Sequence, residues 1–427
     1  MTGEKPREIA VRILLARQQR QFVEDLLEHA LRGVVLKRED RGFIQELVYG
    51  VARWELTLDW LIARKTSGKS QKPFIQNVLR LGLYQMFWLD RVPSYAAVNE
   101  CVELCKKRGF LAESKFINAI LRRYGREVEE TRRKLDDVRQ TNLARGFSHP
   151  DWLCRRWEQR WGKATTVELL NWNNTPPPTY ARVNEIKARP EELRESWRAE
   201  GVEFSETSFE WVAPMTIFRL EAHPALAELK SFQTGLFYIQ DPSTVVAVQM
   251  LSPRKGEAIL DLCAAPGGKT TCIAQLVRNG GRILAEDLDP DRLKRVKENA
   301  ERLGAISITT DSAAFPRDTT FDRILVDVPC SNTGVIRRRV ELRWRLRPEE
   351  IQRLALTQLS ILRAAARRLR AGGTLVYSTC SLEREENHGV IREFLNEHLG
   401  FKLEAERELT PMANGVDGAY CARLLSA

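Results

Sequence analysis

The chain has no run of roughly 18 or more apolar residues, the length a membrane-spanning helix needs; its longest apolar stretch, Leu81 to Leu89, is far shorter. Its N-terminus carries charged residues where a secretory leader needs an apolar core, so a cytoplasmic protein is expected. Eight cysteines include no Cys-x-x-Cys pair and five histidines are scattered, so no metal is expected and free thiols are the default. Cys101 and Cys105, one helical turn apart on an apolar face, read as core. No internal repeat or low-complexity tract is evident. Pro176 to Pro178 is the single composition spike and is too short for a linker.

What is present points to a large globular protein with a polyanionic partner. At 427 residues, and roughly 150 per domain, about three domains are expected. Apolar content of 43% and charged content of 29% are those of a folded chain. The formal charge of +10 favours a polyanion as partner; acidic lipid is the competing one, against which stands the lack of a long apolar stretch.

Residues 1–145 read as an all-α domain. Apolar residues recur at helical spacing through Ile44, Leu47, Val48, Val51, Trp54, Leu58 and Leu61, and Pro73 and Pro93 stand where helices begin or end. Lys106, Lys107, Arg108, Arg122, Arg123 and Arg126 gather near helix ends, which suits phosphate contacts as well as plain solvation. Residues 146–240 read as a small α/β connector. Trp152, Trp157 and Trp161, interleaved with Arg155, Arg156 and Arg160, either stack on bases or form core. His149 and His223 each precede proline and read as turn structure. Asn173 to Pro178 reads as a loop and Thr179 to Asn184 as a strand.

Residues 241–427 alternate strand and helix, which predicts a parallel sheet binding its ligand at the carboxyl ends of its strands. Ala258 to Cys263 is the first such strand, and Pro266-Gly267-Gly268 turns into a helix from Thr270. Glycine there keeps side chains off a ligand and permits positive φ. A second strand, Arg282 to Glu286, delivers Asp287 where an acid would accept ribose hydroxyls, and Asp289 before Pro290 reads as a helix cap. A third, Ile306 to Thr310, delivers Asp311 toward an adenine amino group. The turn lacks both the phosphate-cradle pattern and the glycine count of a dinucleotide fingerprint. An adenosine without pyrophosphate, S-adenosylmethionine, is the expected cofactor. Lys269 is either a surface residue at the helix start or a partner for the methionine carboxylate.

Cys330 and Cys380 each lie just past a strand end, on the rim that carries the glycine turn, with Asp327 three residues before Cys330. Two thiols there suit methylation at carbon 5 of a pyrimidine. A soft thiolate adds to C6, C5 then takes the methyl group, and an acid at N3 stabilises the ring charge. A cysteine at its free pKa of about 8.5 is mostly thiol at neutral pH, so a local charge or base must activate it. Six arginines between 337 and 347 could contribute; as a group they read as RNA phosphate contacts or as a plain solvated face. The residues alone do not choose which cysteine attacks.

The stretches Leu260 to Thr271, Asp327 to Arg338, Gly372 to Glu386 and Asp417 to Ala422 resemble the RsmB/NOL1/NOP2/Sun family of RNA cytosine-C5 methyltransferases, most of all its RsmB branch. Gly82 to Met86, Val92 to Glu100 and Phe116 to Arg122 resemble the NusB-like RNA-binding domain. The resemblance implies a multidomain chain: an all-α NusB-like domain, an α/β connector and a Rossmann-like methyltransferase domain. It implies that Cys263, Ala264, Ala265, Pro266, Gly267, Gly268, Lys269, Asp287, Asp311 and Asp327 bind or border S-adenosylmethionine. It makes Cys380 the nucleophile and Cys330 the aid to product release, with Asp327 at the base N3 and cofactor side. The implied substrate is 16S rRNA, naked or partly assembled, at cytosine 967, and the implied enzyme is a monomer with no metal and no membrane partner. The rival readings are the same chemistry on another rRNA or tRNA cytidine, and a non-catalytic RNA-binding assembly factor. Three departures stand out: Val328 for alanine, Arg339-Val340 for a polar-proline pair, and Ala419-Tyr420 for two phenylalanines. The last two lie near the expected RNA path.

Overall fold

The computed structural model describes residues 5–17, 22–34, 36–316 and 318–427. They divide into two compact units, Met1–Pro176 with Ile336–Arg345, and Pro177–Val335 with Leu346–Ala427. No helix among the described residues is long and apolar enough to cross a membrane.

The first unit is helical. The apolar run through Leu61 spans two helices, Arg38–Arg53 and Glu55–Thr66, which meet at Trp54 (φ −99°, ψ 16°). The period survives the break because Ile44, Leu47, Val48, Val51, Leu58 and Leu61 all face one core. Pro73 opens helix Pro73–Trp88, where its missing N–H costs nothing, and Pro93 immediately precedes helix Ser94–Lys107. Leu81 and Leu83 lie inside that core, and Cys101 and Cys105 are buried in it.

Helix Asp151–Asn174, interrupted at Gly162 (φ 79°), packs in this unit. Asn173 and Asn174 are its last turn rather than loop, because both are held by hydrogen bonds. Asn174 Nδ2 donates to the Phe147 carbonyl at 2.8 Å, and Asn173 Nδ2 lies 3.4 Å from His149 Nε2. His149, fully buried, places Nδ1 2.7 Å from the same Phe147 carbonyl. Burial and then the Arg343 charge push its pKa well down, so it is a neutral joint between helices. Trp157 is fully buried core, and Arg160 lies over the ring of Trp161 at 4.2 Å.

Ile336–Arg345 leaves the second unit in sequence and is built into this one. Val340 is fully buried in the helical core. Arg343 Nη1 donates to the carbonyls of Arg53 (3.2 Å) and Ser148 (3.2 Å) and to Asn174 Oδ1 (2.9 Å), while Nη2 donates to the Asn173 carbonyl (3.0 Å). Arg53 ends its helix, Asn173 lies in the last turn of its own, and Ser148 caps helix Leu143–Phe147. One guanidinium thus satisfies backbone acceptors at three helix C-termini, where the partial charge is negative. Trp344 Nε1 donates to the Ala52 carbonyl at 3.0 Å, Arg337 lies 3.8 Å from the Trp172 ring, and Arg339 and Arg345 lie over Phe22.

The second unit holds two sheets. The smaller is antiparallel, in the order β2-β3-β1-β4, from β1 (Thr179–Val183), β2 (Glu203–Thr207), β3 (Ile217–Ala222) and β4 (Phe237–Ile239). Helix Pro190–Ala199 contributes Trp197 to the core of this layer. The larger sheet runs β10-β11-β9-β8-β5-β6-β7. Its members are β5 (Ala258–Leu262), β6 (Arg282–Glu286), β7 (Ile308–Thr309), β8 (Phe321–Asp327), β9 (Leu369–Thr379), β10 (Phe401–Leu409) and β11 (Ala419–Ser426). Five strands are parallel, and β10 and β11 close one edge antiparallel. The chain order steps from β5 outward to β6 and β7, then back across β5 to β8 and β9. The carboxyl ends of β5 and β8 flank that reversal, which is where such sheets bind ligands.

Candidate active site

Each expected residue reaches the rim by a local cause. β5 ends at Leu262, and the chain reverses through Cys263 (φ 61°) and Gly267 (φ 99°) into helix Gly268–Leu276. Gly267 is thus glycine for its backbone conformation. Gly268 is glycine for packing: a Cβ there would lie 3.0 Å from Cε1 of Tyr238, on β4. Asp287 anchors this turn. Its Oδ2 accepts the Ala265 N–H at 3.2 Å and its Oδ1 the Asp289 N–H at 3.1 Å. Asp289 caps helix Pro290–Leu303, accepting N–H bonds from Asp291 and Arg292 at 2.9 and 3.2 Å. The third strand is only Ile308–Thr309. Asp311 lies just beyond it, exposed, with Oδ1 accepting the Ala313 N–H at 2.9 Å.

At the end of β8, Asp327 Oδ2 accepts from Lys269 Nζ at 2.6 Å and Oδ1 from the Ser378 hydroxyl at 2.9 Å. Lys269 therefore points along the rim rather than out from the helix start. Burial alone would lower its pKa, but the adjoining Asp327 carboxylate overrides this and holds it above the usual lysine value. Below them, on β5, Asp261 accepts the Thr270 hydroxyl at 2.6 Å on Oδ2, while Oδ1 meets no donor among the described residues. Burial pushes Asp261 up to about 7.

The two thiols meet. Cys330 Sγ and Cys380 Sγ are 3.3 Å apart, although 50 residues separate them in sequence. Asn332 (φ 57°) braces both: its Nδ2 donates to the Cys330 carbonyl at 2.6 Å, which turns Oδ1 toward Cys380 Sγ at 3.1 Å. The bond with Cys380, followed by burial, pushes the Cys330 thiol well up, so Cys330 is protonated at neutral pH. The loops carrying the thiols touch backbone to backbone. Gly334 N donates to the Cys380 carbonyl at 3.0 Å and the Gly334 carbonyl accepts the Gly418 N–H at 2.9 Å. A Cβ on Gly334 would lie 2.7 Å from both Cys380 O and Gly418 Cα.

Several residues that shape this site carry no sequence signal as such. Glu386 ends the stretch Gly372 to Glu386, but the charged run around it gives it no role in the sequence, and it is fully buried. The cause is a widened helical turn, Glu385–Gly389, closed by the i to i+5 bond from Gly389 N to Arg384 O at 2.8 Å, which turns Glu386 and Asn387 inward. Asn387 accepts the Thr379 hydroxyl at 2.7 Å and donates to the Ser381 carbonyl at 2.9 Å.

The arginines of 337–347 look different in the structure from their appearance in sequence. Arg343 is fully buried and Arg337 nearly so, inside the helical unit, where they tie helix ends and a tryptophan. Lys269 is a cation on the thiol rim, and its charge is favoured in part by Cys380. Two of the sequence departures are likewise structural. Val340 is helical core, and Tyr420 is fully buried, its hydroxyl 2.8 Å from Glu406 Oε2. Of the basic residues near helix ends, Lys106, Lys107 and Arg123 pair with Glu103, Glu8 and Glu127. No group of three or more His, Cys, Asp or Glu that could hold a metal ion occurs among the described residues.

Comparison with known proteins follows the same division of the chain. The family described as 16S rRNA methyltransferase RsmB/F matches residues 248–425, the NusB family 4–126, and the RsmF/B-like ferredoxin-like domain 149–213. The chain is 37% identical over 412 residues to a probable ribosomal RNA small subunit methyltransferase B of Bacillus subtilis, covering 94% of this chain and 90% of the relative. It is 38% identical over 426 residues to the ribosomal RNA small subunit methyltransferase B of Erwinia tasmaniensis, covering 96% and 95%. The crystal structure of PH0851 matches 98% of both chains at 26% identity, with a TM-score of 0.79.

Proposed function

The chain belongs to the 16S rRNA methyltransferase RsmB/F family, and from that premise we propose that it methylates carbon 5 of one cytidine of small-subunit rRNA through a covalent bond between Cys380 and C6. S-adenosylmethionine is the methyl donor. The proposed nucleotide is cytosine 967 in the usual 16S numbering, the proposed compartment is the cytoplasm, and the proposed working form is a monomer. The observation that carries the mechanism is the 3.3 Å approach of Cys330 and Cys380 beside the Lys269–Asp327 pair.

The residues fit the cofactor by the chemistry of their donors. Lys269 and Asp327 offer one positive and one negative group to an amino acid that carries one of each. Asp287 uses one lone pair on each oxygen for the turn, which leaves acceptors for ribose hydroxyls. Asp311 keeps Oδ2 for an adenine amino group. Residues 263–268 supply the backbone turn. When bound, the cofactor supplies an electrophilic methyl group.

The chain's own residues handle the ring. Cys380 attacks C6 as thiolate, and the S–H of Cys330, 3.3 Å away, donates to that sulfur. At the base N3 the Lys269–Asp327 pair supplies a proton, which neutralises the electron density that moves into the ring on attack and returns to the pair on release. Carbon 5 then takes the methyl group and loses its proton to water, and the C5–H electron pair restores the C5=C6 double bond. The bond between Cys380 and C6 breaks, with the electron pair returning to sulfur. Cys330 assists here, because a donor aimed at the departing sulfur stabilises it as thiolate. The target base must leave its stack, at a cost of about a few kcal/mol if paired.

The test is transfer of labelled methyl from S-adenosylmethionine to small-subunit rRNA by the full chain, with the modified base mapped. A 5-methylcytidine at one site is expected. A methyl group on ribose or on another ring position sinks the proposal.

A further inference from the structure

Glu386 is buried without an ion pair among the described residues, and its acceptors are filled by neutral donors alone. Oε1 accepts the Ser331 backbone N–H and Gln358 Nε2, both at 2.8 Å. Oε2 accepts the Ser381 hydroxyl at 2.5 Å and the Ser331 hydroxyl. Ser331 follows Cys330 and Ser381 follows Cys380, so one carboxylate bridges the residues next to both thiols. The frame around it is closed as well. Gln358 also donates to the Pro329 carbonyl at 2.9 Å, and the Tyr377 hydroxyl donates to the Glu386 carbonyl at 2.6 Å. A buried carboxylate is costly unless its lone pairs are satisfied, and here satisfying them requires both loops in place. The loops also meet directly, through Gly334 N and the Cys380 carbonyl at 3.0 Å, Asn332 Oδ1 and Cys380 Sγ at 3.1 Å, and the Ser331 and Ser381 hydroxyls at 3.0 Å. Glu386 adds to these a buried group whose satisfaction depends on the residues next to both thiols at once.

We propose that Glu386 is a positioning residue that sets the distance between the Cys330 and Cys380 sulfurs, and so couples attack on the pyrimidine to its release. It touches neither sulfur itself. The coupling rests on the roles proposed above for the two cysteines, but the distance does not, and the two are measured apart.

The distance is read without RNA. The full chain is treated with diamide, and the Cys330–Cys380 disulfide is followed by mass spectrometry of the joined peptides. The two thiols lose two electrons and two protons, and diamide is reduced to the hydrazine. Wild type is expected to cross-link readily. Glu386→Ala, still folded by circular dichroism, is expected to cross-link about a hundredfold more slowly, the scale of a misplacement near 1 Å. Glu386→Gln, of the same volume and with one acceptor oxygen left, is expected to retain cross-linking. If Glu386→Ala does not fold, Ser381→Ala removes the hydroxyl that ties Glu386 to the Cys380 loop, together with its contacts to the Ser331 hydroxyl and the Glu383 N–H, both at 3.0 Å, and is expected to slow cross-linking in the same sense. Wild-type cross-linking in a folded Glu386→Ala or in Ser381→Ala overturns the inference. The coupling is then read on rRNA. Glu386→Ala is expected to lower methyl transfer and to leave a larger share of enzyme bound to RNA on a denaturing gel than wild type does. Slow cross-linking with no RNA-bound species in any variant leaves the positioning role standing and counts against the covalent mechanism instead.

Discussion

Gly334→Ala is the smallest change that presses directly on the thiol site. The added Cβ would lie 2.7 Å from Cys380 O, 2.7 Å from Gly418 Cα and 2.9 Å from Gly418 O. All three are backbone atoms, so no side chain can rotate away. Ordinary contact begins near 3.4 Å, so the loops must part by roughly 0.7 Å, the difference between 3.4 and 2.7. Overpacking of this kind costs about 1–3 kcal/mol, which lowers the melting temperature without abolishing the fold. The effect on chemistry is larger. Gly334 N also donates to the Cys380 carbonyl, so parting the loops moves the Cys380 backbone away from that of Cys330. A displacement near 1 Å is expected to cost about a hundredfold in rate. The assay compares methyl transfer to rRNA with affinity for S-adenosylhomocysteine. The rate should fall while affinity holds, because the glycine turn at Gly267 follows a different strand, β5. A Gly334→Ala enzyme of wild-type rate would refute this reading of the site's geometry.

Arg343→Met should destabilise the helical unit, since each of its four acceptors left without a donor costs about 1–3 kcal/mol; a thermal midpoint equal to wild type would contradict its structural role. Asp261→Asn tests a buried acid. Burial raises Asp261 from 3.8 to about 7. Between those values the unfolded chain has lost its proton and the folded chain keeps it, so stability falls as pH rises from about 4 to about 7. The full loss is on the order of 4 kcal/mol, three pKa units and a fraction at 1.36 each. Asp261→Asn should therefore melt higher than wild type at pH 8 and close to it at pH 4, and equal gains at both would refute the assignment.

Most of the fold is legible in the sequence because its signals are local. The strand Arg282–Glu286 and the cap at Asp289 follow from apolar runs and from an acid before proline. Cys330 and Cys380 stand out because each follows a strand. What stays hidden depends on tertiary partners. Arg343 and Arg337 look like an RNA-binding basic run, since nothing local says that residues 336–345 fold into the helical unit. Trp157 looks as suited to bases as to core until its burial is seen. Glu386 hides in a charged run because only a widened turn faces it inward. His149 is read correctly as turn structure, but that Asn173 joins it, as helix rather than loop, depends on a contact 24 residues away.

The central claim, that Cys380 bonds to the target base and Cys330 frees it, is tested most directly by incubating wild type, Cys330→Ala and Cys380→Ala with rRNA and S-adenosylmethionine and resolving the products on a denaturing gel. Cys330→Ala is predicted to accumulate a covalent protein–RNA species, and Cys380→Ala to form none. A covalent species in Cys380→Ala and none in Cys330→Ala would exchange the two roles, and none in any variant while methyl transfer proceeds would contradict the covalent account.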